Sequence, residues 1–316
     1  MNIQKHTRIY IAGCGGMLGE AVYRHFSAIA DVRATDIDVN ESWLAYADVR
    51  DYRAIRESIH GFQPQIILNL AAITDLEVCE REPDNAWLTN GLGAENLGLI
   101  ANELDATYVY ISTAGIFDGK QDTYTDFDTP NPLGVYGRSK HHGEMFVCQH
   151  VRKHYVPRAG WMMGSGPAKD KKFINKIYRQ LCAGKTELFV VDDKAGTPTY
   201  TVDFAAGLHR LLESGMYGLY NHSGQGRCSR YDVAREFVSC LGLADKIKVT
   251  KVDSGHFAED YFAARPASEA LVNMKLAARG FPPMRDWQTC VREYAAVFAR
   301  DWTARGFQQG RASIEQ

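Results

Sequence analysis

The chain has 316 residues, 45% of them hydrophobic, and a formal net charge of −2. That length supports one large or two modest domains with a full buried core, and the near-balanced charge provides no overall basic field to draw in nucleic acid or an anionic membrane. No apolar stretch reaches the length of a membrane span, and the opening Met1-Asn2-Ile3-Gln4-Lys5-His6 lacks the apolar run of a secretion signal. The expectation is a cytoplasmic protein with neither nucleic acid nor membrane as a partner. Its seven cysteines, Cys14, Cys79, Cys148, Cys182, Cys228, Cys240 and Cys290, are odd in number and never closely paired. This argues against a disulfide framework and against a zinc site, and no metal is expected.

Residues 8–12 form a short apolar run that ends at Gly13-Cys14-Gly15-Gly16-Met17-Leu18-Gly19, after which Leu18, Val22, Phe26 and Ile29 recur at helical spacing. Strand, glycine turn and helix in this order are the setting in which glycines cradle a dinucleotide. Gly13, Gly16 and Gly19 allow a tight turn, backbone approach to a pyrophosphate and close helix packing, with Gly15, Met17 and Leu18 in the same turn. The helix amino terminus favours the anion. Residues 31–36 read as a second strand that closes with an acid. A carboxylate there accepts both ribose hydroxyls and repels a 2′-phosphate, so of NAD and NADP the sequence favours NAD through Asp36. A third strand over 44–47 leads to Asp48 and Val49, expected beside the adenine, and 52–59 read as helix.

The nearly continuous apolar run 65–72 fits a strand buried on both faces of a parallel sheet, and the small Ala71 and Ala72 after Leu70 leave room for a cofactor. A long helix is predicted over 84–104, carrying Asn90 on the cofactor side. A strand over 107–111 then delivers Ser112 and Thr113 to its carboxyl end, where ligands of open α/β sheets bind. Beyond a turn-rich segment, Tyr136 and Lys140 lie one helical turn apart and share a face. An ammonium beside a phenol favours the phenolate, which would poise Tyr136 to exchange a proton with a substrate oxygen. Further strands are expected at 154–158, 188–191 and 218–221, and helices at 173–183, 201–213, 231–241 and 285–302. Residues 162–167 read as loop, and the polar tail 306–316 reads as disordered. Alternating strands and helices imply an α/β, Rossmann-type doubly wound parallel sheet with a smaller, mostly carboxyl-terminal α/β substrate-binding portion. Residues 1–160 would form the dinucleotide-binding domain, completed by 198–222, leaving 161–197 and 223–316 for the substrate.

Several stretches together carry a family resemblance: the glycine turn, Leu70-Ala71-Ala72, Ser112-Thr113 with Phe117-Asp118-Gly119, Tyr136 with Lys140, and Arg158-Ala159-Gly160-Trp161. It continues through Val191-Asp192-Asp193-Lys194-Ala195-Gly196-Thr197-Pro198-Thr199, Ser229-Arg230-Tyr231, Ala264-Arg265-Pro266 and Lys275-Leu276. On these the chain resembles the extended short-chain dehydrogenases and, within them, the dTDP-4-dehydrorhamnose reductase group of nucleotide-sugar reductases. The resemblance implies an NAD(P)-dependent oxidoreductase that reduces the C4 carbonyl of a 4-keto nucleotide-diphosphate sugar. Thr113 and Tyr136 would hydrogen-bond the C4 oxygen, Tyr136 would give the proton, and Lys140 would bind the nicotinamide ribose. Trp161 and Thr74 would contact the sugar, and Arg265 the diphosphate.

Two positions depart from that pattern. Ala114 and Gly115 stand where rhamnose-forming reductases carry Asp and Tyr, and where sugar 4,6-dehydratases carry an Asp and a Glu for water elimination. Neither small residue can act as acid or base. Fucose-forming epimerase-reductases place a cysteine at the equivalent of Ala114, and its absence leaves simple carbonyl reduction favoured. Two other readings share the framework: an NAD-dependent nucleotide-sugar C4 epimerase, and a non-catalytic NAD(P)-binding subunit like the regulatory subunit of methionine adenosyltransferase. Retention of Thr113, Tyr136 and Lys140 favours the enzyme. The nucleotide, the sugar and the oligomeric state, a homodimer included, stay open.

Overall fold

Strands rich in apolar residues set the architecture of this protein, a computed structural model that describes residues 2–306. The tail expected to be disordered, Gly306 apart, lies outside the described residues. In chain order the first elements are β1 (Arg8–Ala12), α1 (Met17–Ser27), β2 (Asp31–Asp36), β3 (Leu44–Tyr46), α2 (Tyr52–Phe62) and β4 (Ile66–Asn69). Next come α3 (Leu76–Arg81), α4 (Pro83–Trp87), α5 (Gly93–Glu103), β5 (Thr107–Tyr110), β6 (Ser112–Thr113), α6 (Val135–His150) and β7 (His154–Ala159). After these follow β8 (Trp161–Met163), α7 (Gly166–Lys169), α8 (Phe173–Cys182), β9 (Glu187–Val191), β10 (Ala195–Gly196), β11 (Pro198–Tyr200), α9 (Thr201–Ser214) and β12 (Gly218–Asn221). The last are β13 (Cys228–Ser229), α10 (Arg230–Cys240), β14 (Lys248–Val252), β15 (Ser268–Glu269), α11 (Met274–Ala278) and α12 (Trp287–Ala304).

The main sheet has eight strands in the order β12-β7-β5-β4-β1-β2-β3, with β6 continuing beside β7, and its pairings are parallel. This is the doubly wound Rossmann-type sheet that alternating strands and helices imply. Every residue of β4 and β5 is buried, as helices on both faces require. In β1 the two-residue period sorts side chains between the layers: Ile9 and Ile11 join the cluster under α1 and α9, while Tyr10 and Ala12 join the one under α2, α5 and α6. A third cluster gathers α8, α10 and α12 over the parallel pair of β9 and β14. The described residues contain no helix long and apolar enough to cross a membrane and no acid, His and Cys group able to hold a metal ion.

Several segments differ from the sequence expectation, among them β14 and α11, which the sequence left unassigned. The helix predicted over 84–104 is interrupted by a π-helical turn at Leu88–Leu92. That turn aims the fully buried Asn90 at the loop after β4: its side chain accepts from Ile73 N at 2.9 Å and donates to Ile73 O at 3.1 Å and to Ser139 Oγ on α6 at 3.0 Å. The stretch read as loop at 162–167 begins as β8, which pairs with β11. Helix α3 precedes α4 where none was expected, its amino end capped by Asp75 through Val78 N.

The carboxyl end of the sheet is tied to α6 by a buried cluster. Glu144 on α6 accepts from Ser112 Oγ on β6 at 2.7 Å and from Arg158 on β7 at 3.0 Å through Nε and 2.5 Å through Nη2. Ser112, Glu144 and Arg158 are each at most 3% exposed. A buried charge left without its partner costs about 3–5 kcal/mol. Urea unfolding of Arg158→Met should therefore show a loss of about that size, and the double variant with Glu144→Gln should fall well short of the sum of the two single losses. Additive losses would show that the pair does not act as a unit.

Candidate active site

The glycine turn between β1 and α1 divides its glycines by what surrounds them. A Cβ on Gly13, whose φ is +76°, would strike the backbone of Leu70 and Ala71, and one on Gly19 would strike the backbone of Cys14. These two positions are closed by packing. At Gly16 a Cβ would meet nothing within 4 Å, and α1 has no side-chain cap at this residue. Uncapped amides beside an open space form a cradle that fits the pyrophosphate of a dinucleotide. Met17 lies at the first turn of α1 and its carbonyl accepts from Ser165 Oγ at 2.8 Å, with Leu18 following it.

Asp36, at the end of β2, accepts from Gly15 N at 2.8 Å and from Asp38 N at 2.9 Å, so the carboxylate borders the same turn. Lys169 lies on this side as well, with its Nζ 2.5 Å from Glu41. Asp48 is held by Arg50 in a close pair, and the buried Val49 gives its carbonyl to Asn96 at 2.8 Å. Leu70, Ala71 and Ala72 follow β4 directly, and the backbone of Leu70 and Ala71 backs onto Gly13. Asn90 and Ser112 are engaged inside the protein, Asn90 with Ile73 and Ser139, Ser112 with Glu144. Their polar groups, expected at the cofactor, instead tie the loop after β4 and the end of β6 to α6.

Thr113 ends β6 and Tyr136 opens α6, a helix whose first free amide, Val135 N, donates to Glu80 Oε1 at 2.8 Å. Between them sits Gly115. A Cβ there would lie 3.4 Å from Tyr136 Cε1, 3.5 Å from Thr113 Oγ1 and 3.4 Å from Glu269 Oε1. Glu269, on β15, was not anticipated. Its other oxygen accepts from Trp161 Nε1 at 2.7 Å. The Trp161 ring lies directly on Gly196, and the Arg230 guanidinium carbon stands 3.5 Å from the ring centroid. No local pattern could have revealed this group, because residues 115, 136, 161, 196, 230 and 269 come from separate elements. The substitution of Gly at 115 was the one signal of an opened space.

Burial dominates the charges here. Tyr136 retains some accessible surface yet is densely surrounded by protein, and burial pushes its phenol up to about 12, with the Thr113 hydrogen bond opposing and the Glu269 charge adding. Lys140 is 3% exposed and its Nζ lies 4.1 Å from the Tyr110 ring centroid. The expected lowering of the phenol by Lys140 is thus not what the structure shows. The two residues lie one turn apart on α6, but the Lys140 amine turns onto the Tyr110 ring, and the phenol holds its proton more tightly than a free tyrosine.

Two of the remaining candidates join segments distant in sequence. Thr74 accepts from Lys172 Nζ at 2.9 Å through its Oγ1. Arg265 pairs with Glu77, Nη1 at 2.7 Å and Nη2 at 2.9 Å, and its Nη1 also donates to Ala263 O. A diphosphate would have to compete with Glu77 for this guanidinium, so the expectation that Arg265 serves the diphosphate meets a committed ion pair.

Burial holds the Lys140 amine down to about 7, with the Glu144 carboxylate opposing. Between that value and the ordinary 10.5 the unfolded chain binds a proton that the folded chain has shed. Stability therefore rises with pH across this window, and the burial penalty is fully present below it. In the cofactor-free protein, Lys140→Met should raise Tm by several degrees at pH near 6 and by less at pH near 9.5. Equal shifts at both would contradict the lowered lysine.

The RmlD substrate binding domain family matches residues 7–300. The spore coat polysaccharide biosynthesis protein SpsK of Bacillus subtilis is 32% identical over 290 residues, covering 91% of this chain and 96% of its own. A dTDP-4-dehydrorhamnose reductase of Mycolicibacterium smegmatis is 31% identical over 294 residues, covering 92% of this chain and 85% of its own. Among solved structures, dTDP-4-dehydrorhamnose reductase from Bacillus anthracis in complex with NADP superposes with a TM-score of 0.83 at 28% identity, covering 92% of this chain and 98% of that one. The extent of these matches, the glycine turn after β1 and the pairing of Thr113 with Tyr136 agree: the chain belongs to the RmlD substrate binding domain family of extended short-chain dehydrogenase-like nucleotide-sugar reductases.

Proposed function

We propose that the protein reduces the C4 carbonyl of a 4-keto nucleotide-diphosphate sugar with NADH or NADPH, Tyr136 serving as proton donor. The observation that carries the reading is the meeting of Thr113 and Tyr136 around Gly115, on the sheet edge that also bears the open glycine turn. The nicotinamide cofactor supplies hydride when bound. Gly13, Gly15, Gly16, Met17, Leu18 and Gly19 would hold its pyrophosphate, Asp36 its adenosine ribose, and Lys140 its nicotinamide ribose. Thr113 and Tyr136 would direct their hydroxyls at the carbonyl oxygen. A phenol that stays protonated at neutral pH suits reduction, because the developing alkoxide takes a proton from Tyr136.

In this reading residues 1–160 with 198–222 hold the cofactor, and the rest of the chain closes over the sugar nucleotide, with Trp161 against the sugar. Ala114 and Gly115 supply no acid or base of their own, which supports reduction over water elimination. With Asp36 bordering the glycine turn and Lys169 already matched by Glu41, the cofactor site favours a ribose without a 2′-phosphate.

Tyr136→Phe should lower kcat for a dTDP-linked 4-keto-6-deoxy sugar by roughly 100- to 10,000-fold while leaving the cofactor Kd nearly unchanged. Undiminished turnover would remove Tyr136 from the chemistry, and a wild-type protein inert on dTDP- and UDP-linked 4-keto sugars would remove the reading itself. Titration should give a lower Kd for NADH than for NADPH, and Asp36→Ala should narrow the difference. Equal affinities in the wild type would refute the role given to Asp36.

A further inference from the structure

From the reductase reading of the site, we infer that Glu269 is a specificity-determining residue: its Oε1 receives a hydrogen-bond donor, a hydroxyl or an ammonium, on the sugar carbon next to the reacting carbonyl. The geometry is set by one point. Where Gly115 lacks a side chain, Thr113 Oγ1, Tyr136 Cε1 and Glu269 Oε1 all lie within 3.5 Å of the missing Cβ. A carbonyl oxygen bound by Thr113 and Tyr136 therefore has the Glu269 carboxylate on its flank. Adjacent ring substituents are separated by about the length of a hydrogen bond, so the neighbouring substituent falls in the space between.

Glu269 is fixed in this orientation from behind. Oε2 accepts from Trp161 Nε1 at 2.7 Å, and the indole is itself held between Gly196 and Arg230. Register adds a second constraint, because β15 pairs in parallel with β10 and aligns Glu269 with Gly196, the glycine on which Trp161 rests. One oxygen is thus occupied and the other faces the opened space. A carboxylate oxygen accepts and cannot donate, so a carbon bearing only hydrogen, or an acceptor, leaves it unmatched. The side chain that Gly115 omits would occupy this space, which links the departure at 115 to the carboxylate at 269.

The test compares dTDP-4-keto-6-deoxyglucose with its 3-deoxy and 3-amino analogues, in wild type, Glu269→Ala and Glu269→Gln. In Glu269→Ala the ratio of kcat/KM for the hydroxy over the deoxy substrate should fall by roughly 10- to 100-fold, the worth of a hydrogen bond to a charged group. Glu269→Gln keeps its one oxygen for Trp161 and turns an NH2 to the space, from which a hydroxyl accepts, so it should restore most of that ratio. For the amino substrate, where the charge itself matters, it should not. Equilibrium binding of the same sugars to the protein loaded with NAD+, which has no hydride to transfer, gives the same ratios without turnover. A ratio within threefold of wild type in Glu269→Ala, or equal losses on hydroxy and deoxy substrates, overturns the role of Glu269 even if wild type is an active reductase. A wild type that binds these sugars with the expected ratios but reduces none retains the role of Glu269 and removes the reductase reading. Failure to bind any of them overturns both.

Discussion

The buried pair of Glu144 and Arg158 is the constraint on which the candidate site rests. Thr113 and Tyr136 can share one oxygen only if the end of β6 and the start of α6 hold a fixed distance. Glu144 sits two turns along α6 from Tyr136, and through Ser112 and Arg158 it grips both strands that deliver Thr113. Such a cluster is a poor source of net stability, since taking the charges out of water offsets most of their attraction. Its value is geometric. Only one arrangement of β6, β7 and α6 satisfies the carboxylate, and that arrangement aims both hydroxyls at the same space.

Asn90 does the same from the other side of α6. The π-helical turn that carries it departs from the regular ladder and turns a fully buried amide between the loop after β4 and Ser139. Tyr110 adds a further tie: its hydroxyl reaches the carbonyls of Asn90 and Lys140, and Gly143 leaves the room for it beneath α6. The chemistry-bearing helix is thus fixed along its first two turns by polar contacts as well as by apolar packing.

Electrostatics in this corner follow desolvation more than charge pairing. Lys140 and Tyr136 are both pushed toward their neutral forms, one losing and the other keeping a proton. Neutral partners make a site that is inexpensive to hold closed, and a protonated phenol is the form that a ketone reductase consumes. Elements outside the main sheet reach this corner through Trp161, Arg230 and Glu269, while Lys172 to Thr74, Arg265 to Glu77 and Ser165 to Met17 tie them to the sheet around the rim. Polar contacts of this kind exchange readily with a ligand or water, as a rim that must admit a sugar nucleotide requires.

The sequence by itself determined the sheet, the glycine turn and the spacing of Tyr136 and Lys140, because these are local: apolar runs of strand length, glycines after a strand, and a four-residue interval are visible within a few positions. It also disclosed, through Ala114 and Gly115, that something had been removed beside the reacting pair. What borders the space was decided only by the tertiary structure, since Glu269 arrives from more than a hundred residues away on a two-residue strand whose pairing no periodicity announces. The same holds for Arg265, whose attachment to Glu77 spans distant stretches of the chain, and for Ser112 and Asn90, whose hydroxyl and amide turn inward. The direction of the Tyr136 shift was lost for a related reason. Spacing tells which side chains share a face, but burial and the path of a flexible lysine over the Tyr110 ring exist only in three dimensions.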